Sequence, residues 1–279
     1  MPIGETPHFE DPDYGRDGRD ALLKLFAGRT EARVGIKRPN YLAMPEVPAR
    51  IAADCPGAPL IAVLRDPVDR ALSAFFHQIK TGFFEPEDPE SGLRRIFEAY
   101  RDGRTQALTR REREVVDFGF YHEHLRRYQH HLDLDLLLLW LHEDVRDRPR
   151  EVLRDTYQYL GVNTDFVPEE ELQRRPQAVI YSLPRLRWYR WRSRLAYRFD
   201  PKTERILGKR RNPAALAAAG LVDAVDRVVL SRISDNRKPK LSPGLVDLMC
   251  GVYTDDCRAL QELLGRDLSH WKPLRQTLS

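Results

Sequence analysis

The sequence lacks most of the features that assign a protein quickly to a function class. Its 279 residues include only three cysteines, Cys55, Cys250 and Cys257, and no CxxC pair. A disulfide scaffold and a cysteine-based zinc site are therefore not supported. The longest apolar run, 214–222, has nine residues, whereas a helix that spans a bilayer needs about 20. We therefore expect no transmembrane helix.

Several common catalytic and nucleotide-binding motifs are also missing. The sequence contains no GxGxxG, GxxxxGK[ST], HExxH or GxSxG pattern, so dinucleotide, Walker A, zincin and serine-hydrolase motifs do not apply. His122 and His124 are two residues apart, and on a helix such side chains point about 200° apart. We therefore expect no metal site.

The start of the sequence does not resemble a secretory signal. It has no apolar stretch, and four acidic residues precede the first basic one, Arg16. Together with the few cysteines, this favours a cytoplasmic location. A peripheral location on a membrane is the alternative, because residues 184–211 are strongly basic.

The net charge of +4 conceals one strongly basic segment. Residues 184–211 contain eleven basic and two acidic residues, and the rest of the chain has 35 basic and 40 acidic residues. Trp188, Tyr189 and Trp191 are interleaved with its arginines. This pattern favours a lid that gathers an anionic acceptor, or contact with an anionic membrane surface through 183–211. We do not expect single-stranded nucleic acid as a partner. The alternative interpretation of the segment is a solvated basic helix whose aromatic side chains face inward.

Apolar runs alternate with helical patterns along the chain. Continuous apolar runs at 60–64 and 134–141 predict strands that are buried on both faces of a parallel sheet, and 32–36 predicts a shorter strand. The helical patterns cover about 21–27, 45–54, 66–80, 119–132, 148–160 and 243–264. The alternation predicts an α/β fold with three layers, a parallel sheet flanked by helices. We expect one domain, 1–279, with an inserted helical subregion at about 176–235.

The most informative stretch is LIAVLRDPVDRALSAFFHQIKTG, residues 60–82. Arg65 follows the predicted strand, and Ser73 lies two turns along the polar face of the helix that begins at Asp66. Ligands of open α/β sheets bind at the carboxyl ends of strands. A guanidinium and a hydroxyl placed there suit a phosphate monoester, although the spacing also permits Arg65 simply to pair with a carboxylate.

This stretch resembles the 3′-phosphate-binding motif of sulfotransferases that use 3′-phosphoadenosine 5′-phosphosulfate (PAPS), in particular the heparan-sulfate-type and bacterial carbohydrate branch. In that motif an arginine at the strand end and a serine eight residues later hold the phosphate, which implies Arg65 and Ser73 here. Lys37, in the sequence KRPNY, is similar to the family's Lys-x-Pro-x-Tyr segment. Further likenesses lie at 45–50, 119–121, 236–243 and 264–271.

The resemblance implies a fold like that of P-loop nucleotide kinases, PAPS as sulfuryl donor and no metal. The acceptor would be a hydroxyl or amine of a carbohydrate, glycolipid or small molecule. By resemblance Glu5 is the general base, Lys37 stabilises charge on the transferring sulfonate, and His8 orients Glu5. Arg237 and Lys238 would close over the nucleotide. A non-catalytic protein that kept the fold is the alternative.

The sequence departs from the family's pattern at its beginning. The family's lysine-containing, Gly/Ser/Thr-rich loop, which cradles the 5′-phosphosulfate, has no counterpart here. We expect a native gene product with roughly one further βα unit, and a degraded relative is the alternative. An ungapped match through His8 places Thr6 at the family's glutamate, whereas a slip of one residue restores Glu5.

Overall fold

A computed structural model describes residues 5–10, 14–15, 18–167, 179–200 and 204–275. The chain forms two compact units, each assembled from several segments. The first unit consists of Met1–Arg65, Phe120–Arg174 and Ala259–Arg266, and the second of Asp66–Gly119, Arg175–Arg258 and Asp267–Ser279. The prediction of one domain with an insertion at about 176–235 stays a prediction, and part of that insertion lies outside the described residues.

The helices of the described residues include the six predicted individually and several others. In chain order they are α1 (Gly18–Lys24), α2 (Val47–Asp54), α3 (Pro67–Thr81), α4 (Pro89–Arg101), α5 (Arg110–Asp117), α6 (Tyr121–Gln129), α7 (His142–Asp147), α8 (Pro149–Leu160), α9 (Leu183–Ala196), α10 (Pro213–Val225), α11 (Ser231–Ile233), α12 (Pro243–Leu264) and α13 (Lys272–Arg275). The ends of α8 and α12 match the prediction because Gly161 and Gly265 follow them with left-handed backbone angles. None of the helices among the described residues combines the length and apolarity needed to cross a membrane.

The first unit contains a parallel pair of strands, β1 (Leu60–Leu64) and β2 (Leu137–Leu141), aligned from Leu60 opposite Leu137 to Leu64 opposite Leu141. Parallel pairing with helices between the strands confirms the predicted α/β class. The strand β2 begins three residues later than expected, because Leu134–Leu136 forms a 3₁₀ turn.

Two of the strand predictions need correction. Burial of β1 on both faces is wrong, since Ile61 is 44% exposed and Val63 53% exposed, although Leu64 is fully buried. A continuous apolar run shows that a strand is apolar but not how many layers cover it. The predicted strand at 32–36 is also wrong, because this segment pairs with no strand of the described structure and exposes Val34.

The helix α3 is the best-predicted element of the second unit. The carboxylate of Asp66 accepts a hydrogen bond from the backbone N–H of Asp69 at 2.9 Å, and Pro67 is the first helical residue. Gly82 ends the helix with a φ of 90°, a conformation that glycine adopts without strain. The side chains that form its buried stripe are Val68, Leu72, Phe75 and Ile79.

The basic segment folds as a helix followed by a pair of antiparallel strands, and only the strands were not predicted from the sequence. The strands β3 (Tyr197–Asp200) and β4 (Arg205–Lys209) pair in antiparallel fashion between α9 and α10. The two helices pack together, and the indole N–H of Trp188 donates to the carbonyl of Val222 at 2.9 Å. Trp191 is exposed, so the expectation of inward-facing aromatics holds for only part of the segment.

An ion cluster around Asp144 holds two segments of the first unit together. Arg266 donates to both carboxylate oxygens of Asp144, at 2.8 and 2.9 Å, and Arg148 donates to one of them at 2.9 Å. The backbone N–H of Leu141, at the end of β2, donates to the same carboxylate at 2.9 Å. The hydrogen bonds from Arg266 hold the pKa of Asp144 well below its ordinary value of 3.8.

Substitution of Asp144 by Asn should lower the free energy of unfolding at pH 7 by about 2 kcal/mol, because it removes charge-assisted hydrogen bonds. The difference from the wild type should be complete above the unfolded-state pKa of 3.8 and shrink as the pH falls below it, because the folded-state pKa is lowered. Urea unfolding of both proteins at a series of pH values from 7 downward measures the loss of stability and its dependence on pH. The control is Asp147→Asn, which alters an exposed ion pair with Arg146 and should change stability by less than about 0.5 kcal/mol. A difference that stays constant below pH 3.8 would contradict the assignment.

Candidate active site

Two of the predicted catalytic residues, Glu5 and Lys37, lie side by side in the first unit. The ammonium of Lys37 is 3.3 Å from Glu5 Oε1, and a guanidinium nitrogen of Arg38 is 3.3 Å from Glu5 Oε2. The side chain of Lys37 is 62% exposed and that of Glu5 40% exposed. The carboxylate therefore lies between two cations and remains open to solvent, where a substrate can reach it.

A buried ion pair fixes Arg38 at this position. Its guanidinium donates to both oxygens of Glu10, at 2.7 and 2.9 Å, and the carboxylate of Glu10 is 5% exposed. The hydrogen bond to Glu10 raises the pKa of Arg38 above its ordinary value. Two parallel hydrogen bonds set the plane of the guanidinium, which leaves another edge directed at Glu5. The sequence analysis did not select either residue, and no motif signal identified Glu10.

Tyr41 fastens the segment that carries Glu5 to the rest of the unit. Its hydroxyl donates to the carbonyl of Thr6 at 2.6 Å and accepts from the backbone N–H of Phe9 at 3.4 Å. The hydroxyl of Tyr128, on α6, donates to the carbonyl of Tyr41 at 2.9 Å. Burial raises the pKa of Tyr41 to about 12, so that its hydroxyl stays protonated and remains a donor.

The local sequence explains why Lys37, Arg38 and Tyr41 are held in a fixed relation to one another. Pro39 is the first residue of a 3₁₀ turn, Pro39–Leu42, and its ring presets the backbone for that turn. Arg38 precedes the turn in extended conformation, directly after Lys37, and the tyrosine is buried inside the turn. The KRPNY sequence therefore places charge at the surface and an aromatic ring in the core.

His8 lies in the same segment but contacts a different carboxylate. Its Nε2 atom is 3.5 Å from Asp54, the last residue of α2, and its ring packs edge-on against Phe9 and Tyr14. Its backbone N–H donates to the hydroxyl of Thr6 at 3.3 Å. Within the described residues, the hydrogen bonds to Glu5 come from Lys37 and Arg38, and His8 fixes the turn beside them.

Arg65 and Ser73 lie at the predicted places in their elements. Arg65 directly follows β1 and is the last residue of the first unit, and Ser73 lies in the second turn of α3 in the second unit. Both residues are half-buried. The side chains of Arg65 and Ser73 are therefore both partly accessible to solvent.

A second charged cluster lies at the start of α3 and includes Lys238. Asp69 accepts hydrogen bonds from the ammonium groups of Lys238, at 2.6 Å, and Lys272, at 2.8 Å. Burial opposes ionisation of Asp69, but these hydrogen bonds outweigh that effect and lower the pKa of its carboxyl. The backbone N–H of Lys272 also donates to Asp66 at 2.7 Å. Lys238, Lys272, Asp66 and Asp69 form what we call the Asp69 cluster.

The neighbouring candidate Arg237 is placed differently from Lys238. Its side chain is 90% exposed and lies 3.6 Å from Asp235. The structure therefore brings Lys238 to the first turn of the helix that carries Ser73, whereas Arg237 faces solvent. Neither Asp69 nor Lys272 was predicted as a site residue, because both act through contacts between residues more than 160 positions apart.

The chemistry available at Glu5 and Lys37 is that of a base beside a cation. An ionised carboxylate can accept a proton from a hydroxyl or amine. An ammonium group stabilises negative charge that develops on a nearby oxygen. The described residues contain no group of three or more His, Cys, Asp or Glu side chains that could hold a metal ion.

Relatives of known name share part of the chain's sequence. The chain is 29% identical over 165 residues to heparan sulfate glucosamine 3-O-sulfotransferase 3B1 of Mus musculus, covering 57% of the chain and 39% of that protein. It is 29% identical over 143 residues to bifunctional heparan sulfate N-deacetylase/N-sulfotransferase 4 of Mus musculus, covering 50% of the chain and 16% of that protein. The similarity thus spans well under half of these relatives' lengths.

The fold and the family model agree with these similarities. The crystal structure of a sulfotransferase from Alicyclobacillus acidocaldarius superposes with a TM-score of 0.62 at 22% identity, covering 97% of the chain and 87% of that structure. This likeness shows that the two share a fold. The family model of the sulfotransferase domain matches residues 56–201, just over half of the chain. The chain therefore belongs to the sulfotransferase domain family.

Proposed function

We propose that the protein transfers a sulfuryl group from PAPS to a hydroxyl or amine of a carbohydrate acceptor. Family membership supports the reaction type, and the relatives named for heparan sulfate support a carbohydrate as acceptor. The observation that carries the proposal is the contact of Glu5 with Lys37 at 3.3 Å, although 32 positions separate them in the sequence. Glycolipids and small molecules are the alternative acceptors. We also propose a cytoplasmic location, which the few cysteines favour.

The donor's 3′-phosphate is assigned to Arg65 and Ser73. A guanidinium offers a planar pair of donors to a phosphate, and a serine hydroxyl adds a third hydrogen bond. The assignment rests on the strand-end and helix pattern of 60–82, together with the family match, which begins at residue 56. Lys238 is the further nucleotide-binding candidate, because Asp69 holds its ammonium at the first turn of α3. Arg237, exposed beside it, is the weaker candidate.

Glu5 and Lys37 perform complementary parts of the transfer step. As the acceptor oxygen or nitrogen bonds to sulfur, the bond from sulfur to the donor's phosphate oxygen breaks, and Glu5 takes the acceptor's proton. Lys37 stabilises the charge on the transferring group. Catalysis of this kind depends mainly on positioning and charge stabilisation. Arg38 and Tyr41 hold the segment that carries Glu5, and His8 orients Glu5 indirectly, because its ring packs against Phe9 and Tyr14 and its backbone N–H donates to Thr6.

Substitution of Arg65 by Ala should weaken binding of the product nucleotide, 3′-phosphoadenosine 5′-phosphate, by about tenfold to a hundredfold, the loss expected for charge-assisted hydrogen bonds. Isothermal titration calorimetry measures the affinity. Arg101→Ala, which removes an exposed arginine at the end of α4, is the matched control and should bind as the wild type does. Unchanged affinity in Arg65→Ala would contradict the assignment. A wild-type protein that does not bind the nucleotide would instead support a non-catalytic member of the family.

Substitution of Glu5 by Gln should lower the rate of sulfuryl transfer by about 10²- to 10⁴-fold, the contribution of a general base, while nucleotide affinity is unchanged. A transfer assay with labelled PAPS and a polysaccharide acceptor measures the rate. The control is Glu31→Gln, which changes an exposed glutamate paired with Arg29. Thr6→Val tests the ungapped alignment, in which Thr6 rather than Glu5 stands at the position of the family's glutamate, because it removes the hydroxyl there. A rate in Glu5→Gln within twofold of the wild type would rule out Glu5 as the base.

A further inference from the structure

The helix α10 has an apolar outer surface that the rest of the described structure leaves open. Its sequence, PAALAAAGLVDAV, contains a single charged residue, Asp223, which accepts a hydrogen bond from Arg192 of α9 at 2.8 Å. Ala219 and Val222, on the side that faces α9, are buried. On the opposite side, exposed residues recur every three or four positions and continue beyond the helix: Ala214, Ala217, Leu221, Ala224 and Val228. We call these five residues the α10 face.

The exposure of this surface is large for aliphatic side chains. Leu221 is 66% exposed and Val228 is 55% exposed, and Ile233, in α11, is 74% exposed. Scattered apolar side chains at a surface are ordinary, but a continuous stripe along more than three helical turns is not. Such a surface marks a place where another molecule binds.

Cations flank the α10 face at both ends. Lys209, Arg210 and Arg211 immediately precede α10, Arg227 and Arg232 follow it, and all five are exposed. Every residue from 209 to 233 lies within the described structure, and every exposed charged residue among them is basic.

The two acidic residues of this stretch are paired with arginines of α9. Asp223 is bonded to Arg192 as described, and Asp226 accepts two hydrogen bonds from Arg185, at 2.8 and 2.7 Å. The carboxylate of Asp226 is 4% exposed. The fold therefore separates the charges of this region, with the carboxylates bonded to arginines of α9 and the exposed cations around the apolar stripe.

The charge pattern argues against a second copy of the chain as the occupant. A two-fold contact through α10 would bring the ends of the helix in one copy to the ends in the other. Because both ends are positive, every such arrangement places cations against cations, which disfavours association. The charges instead complement an anionic surface.

The exposed side chains also distinguish a lipid surface from a nucleic acid. Proteins that bind single strands use aromatic rings on which the bases stack, whereas the α10 face is entirely aliphatic. An aliphatic stripe bordered by Lys and Arg is the arrangement of helices that lie in the headgroup region of a bilayer. We propose that the α10 face docks the protein on bilayers that contain anionic phospholipids. The aliphatic side chains enter the boundary of the acyl chains, and the five cations contact lipid phosphates.

Vesicle flotation with the full chain tests this proposal. The wild type should bind vesicles of equal parts phosphatidylcholine and phosphatidylglycerol, should not bind pure phosphatidylcholine, and should bind less as salt is raised. Leu221→Asp should weaken binding about tenfold or more, because a charge must then enter the apolar layer. Removal of Arg227 and Arg232 by alanine should weaken binding by about fivefold for each cation. The matched control is Val167→Asp, at a site of the first unit with similar exposure, 63%, and should bind as the wild type does.

Circular dichroism verifies that each variant is folded, and Ala217→Asp, on the same exposed face, replaces Leu221→Asp if that variant is not. The proposal is overturned if the wild type does not bind anionic vesicles, or if neither aspartate variant changes binding. It is also overturned if light scattering finds a dimer that Leu221→Asp converts to a monomer, which would make a second copy the occupant. Binding to generic RNA that requires the arginines but not Leu221 would identify a nucleic acid instead.

Discussion

The buried ion pair between Arg38 and Glu10 is the contact on which the candidate catalytic arrangement depends. Residues 5–10 form no helix or strand, so their position is set by side chains. Arg38 contacts both Glu10, inside the unit, and Glu5, at its surface. Removing one partner of a buried pair leaves an uncompensated charge, which is strongly unfavourable. The pair therefore keeps Glu5 beside Lys37, with the hydroxyl of Tyr41 as a second support.

The basic residues of the segment 184–211 divide into arginines that are bonded to carboxylates of the protein and cations that remain exposed. Arg185 and Arg192 are bonded to Asp226 and Asp223, and Arg190 is bonded to Glu85, so these three hold α9 in place. The exposed cations at 209–211 have no such internal role apart from the hydrogen bonds of Arg210 to backbone carbonyls. A net charge counted along the sequence therefore overstates the charge available to a ligand, and the distribution of acidic partners decides which cations remain available.

The sequence predicted elements whose signals are local. The bounds of β1, the cap of α3 at Asp66 and the glycine that ends α12 depend on residues within one or two turns of each other. What it missed depends on distant partners. The exposure of Ile61 and the absence of pairing at 32–36 follow from how many neighbours a strand has, which periodicity does not reveal. Glu10 and Asp69 likewise acquire their roles from cations 28 and 169 positions away.

In the proposed mechanism Glu10 is a positioning residue, because it holds Arg38, which contacts Glu5. The most direct test is a double-mutant cycle on the rate of sulfuryl transfer, with Glu10→Gln introduced into the wild type and into Glu5→Gln, at a temperature where urea unfolding shows all variants folded. If Glu10 acts through Glu5, its substitution should slow the wild type markedly and slow Glu5→Gln little. Equal slowing in both backgrounds would show that Glu10 acts independently of Glu5 and would contradict the account.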